Sequence, residues 1–104
     1  METKISVRHG TLSETTQEKI AKRVEKLTRF FDRLTSIVVT VNLERRDAPI
    51  VDLKVSAEHK HDFVATVQSD ELMAALDATL NKVETQIHKY KDKIQKHHRA
   101  PKNR

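Results

Sequence analysis

Lys82, Lys89, Lys93 and Lys96 recur in this 104-residue chain at spacings of seven, four and three. At ~100° per residue they gather on one flank of a helix, with Gln86 between them and Asp77, Glu84 and Asp92 opposite. An earlier stretch repeats the design. Lys19, Lys22, Arg23, Lys26, Arg29 and Arg33 fall on one flank, and Glu14, Glu18, Glu25 and Asp32 on the other. Lys91, His97, His98 and Arg99 thicken the positive charge at the C-terminal end. Closely spaced Lys and Arg neutralise phosphates and release condensed counterions, with little sequence preference. The chemistry these residues offer is phosphate contact.

Other chemistries find little support. Six histidines invite a metal, and His59 and His61 would point the same way if a strand ran through them. Zinc needs about four convergent ligands, and no spaced Cys or His set supplies them. Asp62 beside His61 and Ser69 beside Asp70 are neighbours in sequence, which gives no nucleophile–base–orienter geometry. The acids are spread along helix flanks rather than clustered. Neither catalysis nor a cofactor is expected. With no cysteine and a single glycine, disulfides, thiolate chemistry and Gly-rich phosphate loops are excluded. Aromatic residues are 4% of the chain, and Phe31 and Phe63 look committed to a core, so bases cannot be read forcefully by stacking.

The elements that must position these residues follow from hydrophobic period. Charged residues make up 34% of the chain and apolar ones 37%, with a net charge of +5, which suits one soluble domain. No apolar run approaches the ~20 residues of a membrane span, and no signal-peptide stretch opens the chain. A cytoplasmic protein without membrane contact is expected. Residues 4–8 alternate as a short strand. His9-Gly10-Thr11 breaks it, and Ser13 caps a helix over about residues 14–32, whose stripe is Ile20, Val24, Leu27, Phe31 and Leu34. Ile37–Leu43, Val51–Ala57 and Phe63–Val67 alternate as three further strands, with turns at Asp47-Ala48-Pro49 and His59–Asp62. Ser69-Asp70 precedes a second helix with the stripe Met73, Leu76, Leu80, Val83, Ile87, Tyr90 and Ile94. Its spacing also suits a coiled-coil seam. Three amphipathic strands need covering, however, which assigns it to the core, with the last turn near Ile94 overhanging the sheet.

The expected fold is α+β, with order β-α-β-β-β-α: a four-stranded mixed sheet and two parallel helices packed on one face. Residues 1–99 form the single domain, and 100–104 a short basic disordered tail. Parallel helices with basic residues on the same-handed flank allow a blander reading of the charge. Glu18, Glu25 and Asp32 would pair with Lys82, Lys89 and Lys93 between helices, at little energetic weight. Charge pattern alone leaves both readings open.

Residues 71–97 resemble the second helix of the bacterial ribosome hibernation-promoting factors. That family includes the ribosome-associated inhibitor protein Y and was formerly labelled a sigma-54 modulation protein. The matching residues are Ala74-Ala75-Leu76-Asp77, Lys82, Gln86 and Lys89-Tyr90-Lys91-Asp92-Lys93. Lys26-Leu27, Phe31-Asp32-Arg33 and the basic Arg23 match the first helix, and the likeness extends over residues 4–97. Met73 departs from it, standing where many members carry Tyr.

The resemblance implies a fold similar to double-stranded-RNA-binding domains, in the short form of the family. It also implies binding to ribosomal RNA of the small subunit, in the channel used by mRNA and tRNA, so that translation is blocked and idle ribosomes are held in stationary phase. Arg23, Lys26, Arg29, Arg33, Lys82, Gln86, Lys89, Lys91 and Lys93 are the expected RNA contacts, Gln86 as an uncharged donor to phosphate or sugar. The implied partners are the small subunit, the intact ribosome and a separate ribosome modulation factor, the free protein being a monomer. A protein-interaction module modulating a transcription factor is the alternative, with the charge stripes as ion-pair surfaces.

Overall fold

The computed structural model describes residues 2–29, 31 and 33–99, with side chains except those of Lys60 and residues 94–99. The tail 100–104, Asp32 and the side chains of Ile94, Lys96, His97, His98 and Arg99 therefore lie outside the described residues. The order is β1 (Glu2–Arg8), α1 (Glu14–Glu25), β2 (Leu34–Asn42), β3 (Ile50–Ala57), β4 (His61–Gln68) and α2 (Leu72–Arg99). The sheet runs β1-β2-β3-β4. β1 and β2 are parallel, joined through α1, while β2–β3 and β3–β4 are antiparallel. β1 and β4 thus point the same way. Each helix follows one of them and turns back over the same face, so α1 and α2 run parallel, α1 beside β1 and α2 across β3 and β4.

The registers align the apolar faces into layers. Ile37, Val39 and Val41 lie opposite Val55, Leu53 and Val51, which in turn face Phe63, Ala65 and Val67. All but Val67 are buried, and Ile20, Val24, Leu27, Leu76, Leu80, Val83 and Ile87 close over them from the helices. Ala75 and Thr79 are buried too. The Thr79 hydroxyl donates to the Leu76 carbonyl at 2.7 Å, so its burial leaves no polar atom unpaired. The opposite face of the sheet is polar and open. On it, Lys54 pairs with Asp62 at 3.7 Å, and the Thr66 hydroxyl donates to Asp52 at 2.5 Å.

Local chemistry sets the first helix's limits. The Ser13 side chain accepts from the Thr16 N–H at 3.1 Å, satisfying a donor of the first turn. The far end comes earlier than the apolar stripe predicts. α1 stops at Glu25 and tightens into a 3-10 turn over Lys26–Arg29. There the Thr28 hydroxyl donates to the Glu25 carbonyl at 2.7 Å, taking an acceptor that a further helical turn would use. Leu27 and Phe31 remain inward, but Leu34 belongs to β2, not to the helix. A register shift between Leu34 and Ser36 carries the chain from one regime to the other.

Two histidines take left-handed backbone conformations, His9 at φ 61° and His59 at φ 69°. His9 makes the bend after β1. Gly10 instead lies tight against Leu43, whose Cδ1 would sit 3.0 Å from an added Cβ. His59 lies in a 3-10 turn over Glu58–Lys60. No strand runs through His59 and His61, so the two do not share a face as a continued strand would require.

Candidate nucleic-acid interface

The parallel helices divide the basic residues into separate groups. Arg23 turns from α1 toward α2, where its Nη1 meets Asp77 Oδ1 at 2.5 Å. The shallow groove between the helices is lined by Arg23, Lys26, Asp77, Leu80, Asn81 and Glu84. The basic flank of α1 thus faces the acidic flank of α2. This corrects the expected inter-helix pairing of Glu18 and Glu25 with Lys82, Lys89 and Lys93. α1 covers β1 and therefore lies on the Asp77 side of α2, and the lysine stripe of α2 faces outward. Both partners of the Arg23–Asp77 pair are nearly half exposed, so the contact is worth under ~1 kcal/mol.

Lys26 and Arg29 continue past Arg23 onto the exposed end of α1, where with Lys22, Glu25 and Thr28 they line a second open hollow. Arg33 is exposed just before β2, and its carbonyl accepts from the Glu58 N–H at 2.9 Å, tying it to the β3–β4 turn. Lys91 is half-buried, with its Nζ 5.9 Å from the centre of the Phe31 ring, a cation–π contact with the segment that follows α1.

On the far side of α2, Lys82, Lys89 and Lys93 are exposed and make no ion pair with any described residue. Gln86 shares their stripe and is engaged. Its side-chain oxygen accepts from the Val64 N–H at 3.2 Å, and its Nε2 donates to the Val64 carbonyl at 2.8 Å. Val64 pairs across to Lys54 on its other side. The amide of Gln86 therefore imitates a peptide unit of a fifth strand at the sheet's outer edge. It also fixes the lysine stripe beyond that edge, directed to solvent. Gln86→Ala is expected to cost about 1 kcal/mol, and amide hydrogen exchange should show faster exchange at Val64 than at its core neighbour Leu53.

Sequence reasoning missed one feature of this region. His61, Phe63, Tyr90 and Phe31 form a continuous aromatic cluster. His61 stacks on Tyr90 at 4.3 Å and 25°, Phe63 meets Tyr90 edge-on at 5.5 Å, and Phe31 does so at 6.1 Å. Tyr90, Phe31 and Phe63 were legible as core stripe. His61 was not, because its link to Tyr90 spans 29 residues and depends on where β4 begins. The candidate pair His61–Asp62 is split between opposite faces of β4: His61 lies against Tyr90 and Asp62 against Lys54. Among the described residues no cluster of three or more His, Asp or Glu could hold a metal ion, and no helix is long and apolar enough to cross a membrane.

The sequence and the fold both have relatives. Residues 3–95 match the family described as Sigma 54 modulation protein / S30EA ribosomal protein, and the chain belongs to that family, which is non-enzymatic. The ribosome hibernation promoting factor of Escherichia coli (strain K12) is 26% identical over 98 residues, covering 93% of this chain and all of that protein. The ribosome hibernation promoting factor of Azotobacter vinelandii is 28% identical over 94 residues, covering 89% of this chain and 85% of its own. Two solved structures share the fold. A ribosomal subunit interface protein from Coxiella burnetii superposes with a TM-score of 0.78 at 23% identity, covering 88% of this chain and 99% of its own. The Thermus thermophilus Protein Y N-terminal domain gives 0.72 at 18% identity, covering 84% and 94%.

Proposed function

We propose that this chain is a ribosome hibernation factor that binds structured ribosomal RNA of the small subunit, in the channel used by mRNA and tRNA. Occupying that channel blocks translation and stabilises idle ribosomes. The observation that carries the reading is the outward stripe Lys82, Lys89 and Lys93, three exposed cations unpaired among the described residues and held beyond the sheet edge. Family membership and the names of the relatives supply the partner.

In this reading Lys26, Arg29 and Arg33 contact phosphates from the α1 end, and Lys91 does so beside Phe31. Arg23 exchanges Asp77 for phosphate or shares its guanidinium between them, as its half-exposed position permits. Gln86 holds the stripe in place and keeps one N–H of its amide to donate to phosphate or sugar. Residues 1–99 act as one unit, a cytoplasmic monomer when free, needing no cofactor and working beside a separate modulation factor when ribosomes pair.

Co-sedimentation with purified bacterial ribosomes across a salt series tests the proposal. Salt-sensitive binding by the wild type, and none by a folded Lys89→Glu, Lys93→Glu variant, is the expected result. A salt-insensitive association that survives the double reversal would instead favour an apolar protein interface, as a transcription-factor modulator would use.

A further inference from the structure

We propose that His61, stacked on Tyr90, is a platform for one unpaired nucleobase of the bound RNA. The inference deepens the ribosomal-RNA reading and rests on it. The aromatic cluster runs from the core to water in one direction. Phe63 is 2% exposed, Tyr90 is half-buried against it, and His61, 4.3 Å from Tyr90, is exposed. An aromatic stack that ends in solvent presents a rigid π-surface whose ordering is already complete. Every base has a matching π-face, so such a surface binds without demanding a sequence.

The placement selects RNA as the occupant. His61 opens β4 on the helix-bearing face, so the platform lies at the end of the sheet where Arg33 is tied to the β3–β4 turn. On one side Lys91 reaches Phe31 of the same cluster. On the other, Lys89 and Lys93 flank Tyr90 in sequence on the outward stripe. A base resting on His61 would carry its phosphates toward cations on both sides. Stacking surfaces on RNA-binding proteins take bases splayed from loops and bulges, and structured ribosomal RNA supplies those. The phosphate contacts are indifferent to base geometry. The platform adds a requirement for an accessible base, hence a preference for a bulge or loop over a continuous duplex.

The test measures affinity for purified bacterial small ribosomal subunits with four chains: wild type, His61→Ala, His61→Leu and His61→Phe, each checked by thermal unfolding. Base stacking predicts that Ala and Leu weaken binding about 5- to 150-fold, with the slope of log affinity against log salt unchanged because no phosphate contact is lost. Phe, uncharged and aromatic, restores it. Binding by His61→Ala equal to wild type overturns the platform, as does equal rescue by Leu and Phe, which would mark His61 as packing for Tyr90. The Lys89→Glu, Lys93→Glu variant separates the two readings. If it loses binding while His61→Ala does not, the platform fails and the ribosomal reading stands. If the wild type itself does not bind at low salt, both fail.

Discussion

At low salt, small ribosomal subunits are expected to bind the wild-type chain at least about 100-fold more tightly than the Lys89→Glu, Lys93→Glu variant. The magnitude follows from the contacts removed. A hydrogen bond to a charged group is worth about 1.5–3 kcal/mol, and two of them exceed a hundredfold in affinity. Reversal adds repulsion where attraction stood. The salt dependence carries a second signature. Each phosphate contact contributes a little under one unit to the slope of log affinity against log salt, so the double variant's slope should be shallower by about two units. Both lysines are exposed and have no partner among the described residues, so the change costs the fold almost nothing. Filter binding from about 50 to 200 mM salt, with circular dichroism as the folding control, would decide it. Equal affinities for the two chains would remove α2's outward stripe from the interface.

Leu76→Asp is expected to abolish the folded state. Leu76 is fully buried on the sheet-facing side of α2, in the same core cluster as Leu53, Val83 and Ile87. Truncating a buried leucine costs about 2–5 kcal/mol through lost burial and the cavity left behind. A carboxylate in the same place, surrounded by the apolar core, adds a desolvation penalty of several kcal/mol. A domain of this size has about 5–15 kcal/mol of stability in all. Thermal unfolding should therefore show no cooperative transition for Leu76→Asp, whereas Lys89→Glu, on the same helix, should melt within a few degrees of the wild type. A cooperative melt for Leu76→Asp would mean that α2 is not seated as described.

The sequence made α2 and the three consecutive strands legible because each buries one uninterrupted face. Leu76, Leu80, Val83 and Ile87 hold helical spacing over about three turns, and Val51, Leu53 and Val55 hold strand spacing against an equally regular partner. The first helix was harder to read. Its stripe continues through Phe31 and Leu34 at helical intervals, although the backbone leaves the helix at Lys26. Side chains can face one core from a helix, a 3-10 turn and a strand in succession, so periodicity does not mark the change.

The candidate site divides in the same way. Segregation of charge on each helix is a local property and was visible. Which flank of α2 meets α1 depends on the side of the sheet to which the crossover from β1 carries the first helix. That placement turned Arg23 toward Asp77 and freed Lys82, Lys89 and Lys93. Gln86 and His61 were opaque for the same reason: their partners, Val64 and Tyr90, lie 22 and 29 residues away.

The amide of Gln86 also bears on how copies of this domain meet one another. An open four-stranded sheet has two margins at which a foreign strand can add, and growth from both would propagate a filament. Here the β4 margin is obstructed at its middle by a side chain that already fills the role of a neighbouring backbone. A strand from another copy would have to displace Gln86 before it could pair along β4 through Val64.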